Sequence, residues 1–515
     1  MVDTALEEIN QMTLNNIFDL NTLLIEASQK FNNEVLIESI NDEDGSFKYG
    51  DLANFLNGLN AFFAENRVEK KSSVAVMLPN DITMALLFLC VPALDRVFVP
   101  INPKLSLDEV AYICQDSDVK FIITIDALKT LIPSDIQSHT IQLGTSWIEQ
   151  IMTYTGNDIQ HNINKNTIAE IVYTSGTTGK PKGVELSHLN LISNSYGISQ
   201  TFEFSSKDRF LTITPLFHNS GQLFTTLAPM WTGSCSIPIR PELSLGIFWQ
   251  LVSSKKITWT LGMGSHINYL LSIIDSLKSK PKHNLKGILT GGMKLDPIKR
   301  KQFEEFYQAQ ILITYGLTET TSFATSDKPG DEICPGSVGK PLKTNEIRID
   351  KNNGDEGEIL IKGDNIFESY HNLPELTSTK KVDGWLRTGD LGFMNEKGFL
   401  FISDRIDNLI IVSGENVYPA EIEQFSYLFP ELYEFIIVGK NHDIKGQEIA
   451  MIYTLKEGKQ ANLSDWSKKF LDNLANYKVP TNYINITDFG LKELPKAPNG
   501  KILRGQINKL MKELD

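Results

Sequence analysis

The chain has 515 residues, of which 41% are hydrophobic and 22% charged, and it carries a formal net charge of −14 with a pI near 5.2. This length exceeds what one hydrophobic core supports and predicts two or three globular domains. The acidic balance argues against a nucleic-acid partner, so any site for an anionic ligand must be locally positive.

Apolar strand-like runs alternate with helical patterns along the first two thirds of the chain. The strand S-V-A-V-M-L is followed by a helix over Ile82 to Ala93, the strand V-F-V-P-I-N, a helix from Ser106 and the strand V-K-F-I-I-T-I. A second series of strands reads R-F-L-T-I-T, C-S-I-P-I, I-T-W-T-L, L-K-G-I-L-T and Q-I-L-I-T-Y. This alternation predicts parallel sheets with helices on their faces, and the length fits two α/β layers.

The pattern changes after Pro335 to short strands separated by turn residues, as in E-I-R-I-D-K-N-N-G-D-E-G-E-I-L-I-K-G. Such spacing predicts β-hairpins in a small β-barrel-like subdomain. Residues beyond S-D-R-I-D-N, at 403–408, suffice for a separate α+β domain. We therefore predict an α/β fold with a large N-terminal domain, 1–406, hinged at Asp407 to a small α+β C-terminal domain, 407–515.

The cysteine pattern and the apolar runs indicate the cellular compartment in which the protein is expected. Four cysteines lie far apart with no C-x-x-C pair, which favours reduced and mostly buried thiols over a metal site or disulfide framework: Cys90, Cys114, Cys235 and Cys334. The first ten residues are acidic where a signal peptide would be basic. The longest apolar run, Met84 to Leu94, is interrupted by Pro92 and is too short to span a bilayer. We expect a cytoplasmic protein without a membrane span.

Residues 171 to 183, I-V-Y-T-S-G-T-T-G-K-P-K-G, predict a phosphate-binding loop after a strand over Ile168 to Tyr173. The glycines let the backbone approach a polyanion, the hydroxyls add short donors and the lysines add positive charge. A Walker A spacing is absent, and Pro181 follows the first lysine where a helix would have to begin. The residues of this predicted phosphate cradle are Thr174, Ser175, Gly176, Thr177, Thr178, Gly179, Lys180 and Lys182.

Further motifs follow in order: P-L-F-H-N-S-G at 215–221, L-T-G-G-M at 289–293, I-T-Y-G-L-T-E-T at 313–320, G-W-L-R-T-G-D at 384–390, S-D-R-I-D-N at 403–408 and L-P-K-A-P-N-G-K-I-L-R at 494–504. Strand ends are where α/β sheets bind ligands, and an aromatic ring, a small residue, a hydroxyl and a carboxylate together can bind a base, a phosphate and Mg²⁺. The last motif predicts a turn that projects Lys501 before an amphipathic helix.

Together these motifs resemble those of the adenylate-forming enzymes, which include acyl- and aryl-CoA ligases, firefly luciferase and the adenylation domains of peptide synthetases. The resemblance implies that Tyr315 stacks on adenine, that Thr318 touches the α-phosphate and that Glu319 ligates Mg²⁺. Gly316 is a further candidate for ATP and AMP binding. The resemblance also implies a floor beneath adenine and substrate made by L-T-G-G-M, and a ribose site. The residues of the floor and the ribose site are Gly291, Gly292, Met293, Asp390 and Arg405.

The same resemblance implies roles around the reacting groups. Lys501 would bridge the carboxylate and the α-phosphate, and His218 would line the acyl site beside the carboxylate. The acyl-pocket candidates are Asn219, Gly262, Met263, Thr321 and also Met293, and the candidates for the coenzyme A channel are Ser413 and Gly414. The sequence departs from the family pattern at Asp404, where glycine is usual, and at Asn408, where aspartate is usual.

These implications predict an ATP- and Mg²⁺-dependent carboxylic acid:CoA ligase, in which an acyl-adenylate forms with release of pyrophosphate and coenzyme A then displaces AMP. One alternative is a stand-alone acyl- or aryl-acid adenylating enzyme that loads a carrier-protein phosphopantetheine, since the His218-Asn219 pair is similar to that of aryl-acid adenylating enzymes. The other is a non-catalytic nucleotide-binding sensor or scaffold. The presence of Glu319, Asp390 and Lys501 argues against the sensor.

Overall fold

The computed structural model describes residues 12, 14, 17–41, 45–155, 163–174, 181–262, 264–277, 279–291, 297–351, 355–442, 445–496 and 502–512. The chain divides into two compact units. The first comprises residues 1–347 and 361–386, and the second comprises residues 348–360 and 387–515. The hinge predicted at Asp407 lies within the second unit, and a hinge there remains a prediction.

Regular elements run through both units. The helices are α1 (Leu20–Lys30), α2 (Leu52–Glu65), α3 (Ile82–Ala93), α4 (Leu107–Asp116), α5 (Thr145–Thr153), α6 (His188–Thr201), α7 (Asn219–Gln222), α8 (Pro241–Ser254), α9 (Gly264–Ser272), α10 (Pro297–Tyr307), α11 (Pro374–Lys380), α12 (Pro419–Glu423), α13 (Leu463–Leu471) and α14 (Arg504–Lys512). The strands are β1 (Val35–Glu38), β2 (Ser46–Lys48), β3 (Ser73–Met77), β4 (Val97–Pro100), β5 (Phe121–Thr124), β6 (Gln137–Thr140), β7 (Ile168–Thr174), β8 (Lys182–Ser187), β9 (Arg209–Thr212), β10 (Cys235–Pro238), β11 (Trp259–Leu261), β12 (Gly287–Gly291), β13 (Ile311–Tyr315), β14 (Thr325–Ser326), β15 (Lys340–Pro341), β16 (Glu346–Lys351), β17 (Gly357–Lys362), β18 (Ser369–Tyr370), β19 (Lys381–Val382), β20 (Trp385–Met394), β21 (Leu400–Arg405), β22 (Ile410–Val412), β23 (Glu415–Val417), β24 (Leu432–His442), β25 (Gly446–Leu455) and β26 (Asn482–Asn485).

Two large sheets form the first unit. One has the order β18-β8-β7-β4-β3-β5-β6, in which β3 to β7 pair in parallel and β8 and β18 add antiparallel pairs. The other has the order β15-β14-β13-β12-β11-β9-β10-β1-β2, parallel from β13 to β1 with antiparallel additions at both edges. The predicted parallel sheets are confirmed. Short edge strands and the return of β8 added the antiparallel pairs that the strand pattern did not predict.

Helix α3 lies between these sheets. All twelve of its residues are buried, and it contacts strands β1 and β10 of one sheet and β3, β4 and β7 of the other. A helix that is apolar on every face is stable only when it is buried all round. Asp81 caps its N-terminus by accepting a hydrogen bond from Met84 N at 2.8 Å. The proline in its last turn, Pro92, is tolerated near the end of the helix, which has the predicted bounds.

The second unit contains smaller sheets. Strands β16, β17, β20 and β21 belong to one sheet, in which β20 and β21 are antiparallel. Strands β23-β22-β25-β24 form another, with the long antiparallel pair of β24 and β25 at one edge and β26 added in parallel to β25. Apolar side chains from both faces of β24 and β25 form two buried clusters, covered by α13 on one side and α14 on the other.

Candidate active site

The two described ends of the predicted phosphate cradle lie on neighbouring strands of the first unit. Strand β7 ends at Thr174 and β8 begins at Lys182, and these two residues are paired in antiparallel register. The pairing holds the two ends of the loop together, as a short phosphate-binding loop requires. The remaining cradle residues, Ser175, Gly176, Thr177, Thr178, Gly179 and Lys180, lie outside the described residues.

The loop after β13 depends on a glycine that no other residue could replace without a clash. A Cβ atom on Gly316 would lie 1.7 Å from the carbonyl oxygen of Ser322. The chain then forms a single 3₁₀ turn over Thr318–Thr320. This turn leaves Thr318 and Glu319 half-buried directly after the buried Tyr315 at the end of the strand. The structure therefore brings together the four residues that the sequence assigns to adenine, phosphate and Mg²⁺.

Asn365 closes this loop, and the sequence analysis did not identify it. Its Nδ2 donates to Thr320 O at 2.9 Å, and its backbone carbonyl oxygen accepts from Thr321 Oγ1 at 2.7 Å. Thr321 has a φ of 66° and is fully buried. A β-branched residue in this conformation is strained, and the two bonds to Asn365 hold it there. The acyl-pocket role of Thr321 remains a prediction.

Tyr370 connects the cradle to the predicted magnesium ligand. Its hydroxyl donates to Oε1 of Glu319 at 2.6 Å, and Lys182 Nζ lies 5.8 Å from the centre of its ring. Phe367 N also donates to Glu319 O at 2.9 Å, so the backbone of the turn is fixed as well. One tyrosine thus touches the cradle lysine through its ring and the carboxylate through its hydroxyl. A cation over an aromatic ring is stabilised electrostatically.

The donor set suits Mg²⁺ held between protein and phosphate. Among the described residues, no group of three or more histidine, cysteine, aspartate or glutamate side chains is arranged to hold a metal ion. Mg²⁺ prefers oxygen ligands and binds through one or two carboxylates together with substrate phosphates. Glu319 provides one such carboxylate, with Oε1 already oriented by Tyr370. The residues present therefore fit a magnesium ion that arrives with a nucleotide.

The histidine predicted to line the acyl site is held neutral. His218 precedes helix α7, and its Nε2 is buried without a hydrogen-bond partner in the part of the chain that the structure describes. Burial lowers the pKa of His218 to about 4. The ring packs against that of Phe217, with 4.6 Å between centroids. A neutral imidazole with a free nitrogen can contact a polar group of a substrate.

Glycine is favoured for different physical reasons at the two positions that are predicted to lie beside the substrate. A Cβ on Gly291 would lie 2.7 Å from Thr314 O, so close packing of β12 on β13 requires glycine there. A Cβ on Gly262 would meet only ordinary contacts, 3.5 Å from His266 Cβ and from a methyl of Ile213. Space rather than backbone packing therefore favours glycine at 262. The neighbouring predicted residues Met263, Gly292 and Met293 fall outside the described residues.

The predicted ribose-binding pair is already in contact within the second unit. Asp390 and Arg405 face each other across β20 and β21, and Arg405 Nη1 lies 3.1 Å from Asp390 Oδ1. Arg405 also approaches Asp407, with Nη2 3.7 Å from Oδ2. Asp390 is 5% exposed, and its amide donates to Thr388 Oγ1 at 3.0 Å. The carboxylate that would accept two ribose hydroxyls is thus preorganised by the predicted arginine.

The two residues that depart from the family pattern, Asp404 and Asn408, form a hydrogen bond with each other. Asn408 Nδ2 donates to Asp404 Oδ1 at 2.8 Å, and Asp404 Oδ2 accepts from Ala420 N at 2.8 Å at the start of helix α12. Arg405 N also donates to Asp404 Oδ1 at 2.7 Å. Asp404 therefore caps a helix and fastens the turn that contains the predicted hinge.

The predicted coenzyme A residues form a turn rather than a strand. Ser413 and Gly414 join β22 to β23 and have φ values of 53° and 87°. Two consecutive positive φ values are typical of the tight hairpin turns that match strand twist. Both residues are exposed. Their role in a coenzyme A channel stays a prediction.

The predicted catalytic lysine, Lys501, lies outside the described residues, as does the turn before it. The flanking residues Lys496 and Ile502 form an antiparallel bridge. Helix α14 begins at Arg504, so the final helix predicted from the sequence is confirmed.

The sequence did not predict the contacts made at the site by three residues: Tyr370, Asn365 and Glu170. Tyr370 and Asn365 lie about 50 residues from their partners and carry no local signal. Glu170 did carry one, because it is a charged residue inside the apolar run I-A-E-I-V-Y. It lies in β7, fully buried, with Oε2 3.5 Å from Asn219 Nδ2.

Comparisons with known proteins agree with this arrangement. Residues 25–371 match the family of AMP-binding enzymes. The 2-succinylbenzoate--CoA ligase of Bacillus cytotoxicus is 30% identical over 87% of this chain and 90% of its own length. The sulfoacetate--CoA ligase of Cupriavidus necator is 29% identical over 90% of this chain and 92% of its own length. The o-succinylbenzoate CoA synthetase (MenE) of Bacillus subtilis, solved with ATP and a magnesium ion, is 26% identical and has a TM-score of 0.82, covering 94% of this chain and 99% of that one.

The chain therefore belongs to the AMP-binding enzyme family. With CoA ligases as relatives over nearly its whole length, it is an AMP-forming acid–thiol ligase of the adenylate-forming superfamily. The predicted fold class and enzyme class are confirmed. In the described part of the chain, no helix is long and apolar enough to cross a membrane.

Proposed function

We propose that this ligase joins a small carboxylic acid to coenzyme A in two steps at a site built around Glu319, Tyr370 and the cradle. In the first step a carboxylate oxygen attacks the α-phosphorus of ATP, the bond to the bridging oxygen breaks and pyrophosphate leaves. In the second step the thiol sulfur of coenzyme A attacks the acyl carbon and loses its proton. The acyl C–O bond then breaks and AMP leaves with the electron pair.

The observation that carries the proposal is the contact of Tyr370 with both Lys182 and Glu319. A cation from the described end of the predicted cradle and a carboxylate thus share one tyrosine, which supports a site that brings two anions together. Mg²⁺, when bound with the nucleotide, would neutralise phosphate charge. Lys182 adds fixed positive charge, and Glu319 orients the ion through the oxygen that Tyr370 leaves free. Positioning and electrostatics of this kind suffice, because the chemistry needs no protein nucleophile.

The predicted acyl site supports a carboxylic acid that carries a second polar group. The neutral His218 offers a buried nitrogen at the predicted acyl site, and Asn219 adds a polar amide beside it. The 2-succinylbenzoate and sulfoacetate of the relatives' names both carry a second polar group besides the reacting carboxylate. Acids of that type are the first substrates to try with this chain.

The test is pyrophosphate release by the purified protein with ATP, Mg²⁺ and a panel of carboxylic acids. The panel contains acids with and without a second polar group. Coenzyme A and a phosphopantetheinylated carrier protein are then compared as acceptors, with mass detection of the thioester. We expect pyrophosphate release that depends on the acid, and faster turnover with coenzyme A. Faster loading of the carrier protein would favour the alternative acceptor.

Substitution of the magnesium ligand provides the matched comparison. Glu319→Gln should keep the fold and lose Mg²⁺-dependent turnover, whereas Glu305→Gln, at an exposed side chain on helix α10, should leave turnover unchanged. Absence of pyrophosphate release with every acid, together with absence of ATP binding in calorimetry with Mg²⁺, would refute the proposed function.

A further inference from the structure

The last turn of helix α4 carries two polar side chains that reach residues on either side of the predicted cradle. Tyr112 and Asp116 are four positions apart in α4, so their side chains lie on one face of the helix. Apolar residues of the same helix, among them Val110 and Ile113, belong to the buried cluster that packs it against its sheet. Apolar packing therefore explains how α4 is attached to the sheet, and the two polar side chains need a separate explanation.

Tyr112 contacts the end of the cradle at which strand β8 begins. Its hydroxyl donates to Pro181 O at 3.1 Å, and Pro181 directly precedes Lys182. A proline has no N–H, so this carbonyl is the only backbone group of Pro181 that can form a hydrogen bond. The bond fixes the orientation of the peptide that joins Pro181 to the cradle lysine.

Asp116 contacts the residue before the other end. Its Oδ2 accepts a hydrogen bond from the hydroxyl of Tyr173 at 2.7 Å, and Tyr173 directly precedes Thr174, where β7 ends. Burial raises the pKa of Tyr173, and the hydrogen bond to Asp116 adds to the rise, so the hydroxyl keeps the proton that it donates. The rings of Tyr112 and Tyr173 also meet edge to face, with 6.5 Å between their centroids. The two hydrogen bonds therefore lie side by side on neighbouring strands.

Close packing around Gly183 leaves these strands little room to shift. Tyr173 is paired with Gly183 on β8, and a Cβ atom on this glycine would lie 3.2 Å from Tyr173 Cζ and 3.1 Å from His371 Cβ. His371 N donates to Gly183 O at 2.8 Å, and His371 Nε2 donates to Asp116 O at 3.0 Å. The end of α4 is thus bonded to residues on both sides of the cradle and to the residue after β18.

Bonds at the ends of a loop matter because a loop that binds a polyanion must adopt one backbone conformation in the complex. Fixing each residue costs conformational entropy, and the part of that cost that the free protein has already met does not weaken binding. Hydrogen bonds from α4 to both sides of the cradle therefore favour phosphate binding without contacting the phosphates.

We propose that Tyr112 and Asp116 are positioning residues that hold the two ends of the cradle in the conformation that binds the phosphates of ATP. This inference rests on the proposed function in one respect, that ATP is the ligand. Tyr112 acts through Pro181, and Asp116 acts through Tyr173. Loss of either contact weakens ATP binding, whereas the KM for the carboxylic acid and the kcat at saturating ATP change little.

The first experiment removes one hydroxyl. Tyr112→Phe keeps the ring beside Tyr173 and deletes only the donor to Pro181 O. We expect the Kd for ATP, measured by calorimetry with Mg²⁺, to rise about three- to tenfold, the loss expected for one hydrogen bond. The KM for ATP in pyrophosphate release should rise by a similar factor, with kcat and the KM for the acid nearly unchanged.

The matched control deletes a hydroxyl of the same kind elsewhere in the first unit. Tyr307 OH donates to Leu270 O at 2.6 Å, at the end of helix α10. Because this bond is buried, Tyr307→Phe should lower the melting temperature at least as much as Tyr112→Phe does. It should leave the Kd for ATP unchanged. The comparison separates positioning of the cradle from a general loss of stability.

A double-variant cycle tests the contact of Asp116. Asp116→Ala and Tyr173→Phe each remove one partner of the same hydrogen bond and should raise the Kd for ATP by similar factors. The double variant should bind no more weakly than either single variant, because the bond is already lost. Asp116→Asn keeps an oxygen that can accept from Tyr173 and should restore most of the wild-type affinity. The backbone carbonyl that His371 contacts is present in every variant.

The outcomes separate this inference from the proposed function. If ATP binds but Tyr112→Phe and Asp116→Ala leave its Kd unchanged, or if Tyr307→Phe raises it as much as they do, the inference is overturned while the proposed function stands. Additive effects of Asp116→Ala and Tyr173→Phe would show that Asp116 does not act through Tyr173. If both α4 variants weaken ATP binding while no acid of the panel gives pyrophosphate, the inference stands and the proposed function loses its support. If ATP does not bind to the wild-type protein, both fail.

Discussion

The hydroxyl of Tyr370 donates a 2.6 Å hydrogen bond to Oε1 of Glu319, 51 residues away in the sequence. The bond orients the carboxylate that we propose as the magnesium ligand, and the ring of the same tyrosine lies under Lys182. Hydrogen bonds to metal-binding carboxylates set their orientation and their affinity for the ion.

Removal of that hydroxyl should weaken magnesium binding. Tyr370→Phe keeps the ring under Lys182 but leaves Oε1 of Glu319 without its donor. We expect the Mg²⁺ concentration for half-maximal pyrophosphate release to rise about tenfold, within the range seen when such supporting residues are lost. Direct titration of Mg²⁺ in the presence of ATP by calorimetry should show the same shift. Tyr427→Phe, at an exposed tyrosine of the second unit, is the control. An unchanged Mg²⁺ requirement would mean that Tyr370 does not orient the ligand.

The two half-reactions should respond differently to loss of Lys501. By the family resemblance this lysine touches the reacting oxygens only during adenylation. Lys501→Ala should slow formation of the acyl-adenylate roughly 10²- to 10³-fold, on the scale of losing a preorganised charge donor. Supplied with preformed acyl-adenylate, the variant should make acyl-CoA at a rate near that of the wild type. Single-turnover assays of each half decide the point, and equal slowing of both would contradict a lysine used in one step alone.

A charged histidine should contribute to stability near the cradle. His371 Nδ1 lies 2.6 Å from Glu185 Oε1, and its Nε2 lies 3.0 Å from Asp116 O. Both partners can only accept, so both ring nitrogens carry hydrogens. The hydrogen bond to Glu185 raises the pKa of His371, and its burial opposes the rise.

The contribution of His371 to stability is complete below the pKa of the unfolded chain, near 6.5, and is lost as pH rises through the higher pKa of the folded protein. The difference in melting temperature between the wild type and His371→Gln should therefore shrink from pH 6 to pH 9. Thermal unfolding at several pH values provides the measurement. A difference that grows over this range would contradict a charged His371.

Glu170 should also make the wild type lose stability as pH rises, relative to a separate variant. Burial raises the pKa of Glu170 to about 8. Its proton leaves the unfolded chain near pH 4.5 but stays on the folded protein until about pH 8. The folded state thus binds more protons between these values, and wild-type stability falls as pH rises across them, by on the order of 4 kcal/mol. Glu170→Gln cannot ionise, so its melting temperature relative to the wild type should rise from pH 5 to pH 9. A constant difference would show that Glu170 is already ionised at pH 5.

The sequence by itself determined the repeating architecture, and it supplied the candidate site residues, whose roles remain predictions. The bounds of helix α3 follow from an apolar run between Asp81 and Leu94, because burial on all sides needs no partner-specific pattern. Gly316 and Glu319 were candidates because nucleotide binding at the end of a strand would restrict residue types within a few neighbouring positions. Constraints that act within a few neighbouring positions can be recognised from a short stretch of sequence.

Only the tertiary structure decided what each site residue contacts. Tyr370 meets Glu319 because β18 pairs with β8 beside the cradle, and Asn365 braces Thr321 across 44 residues. The orientation of the Asn219 amide depends on Gln222, Leu216 and a strand from another sheet. Long-range pairing brings such groups together, and a hydrogen bond requires atoms within about 3 Å, so no spacing along the sequence encodes it. The amino-acid sequence determined which functional groups the candidate site can contain. The packing of the two sheets decided how the polar groups among them are oriented.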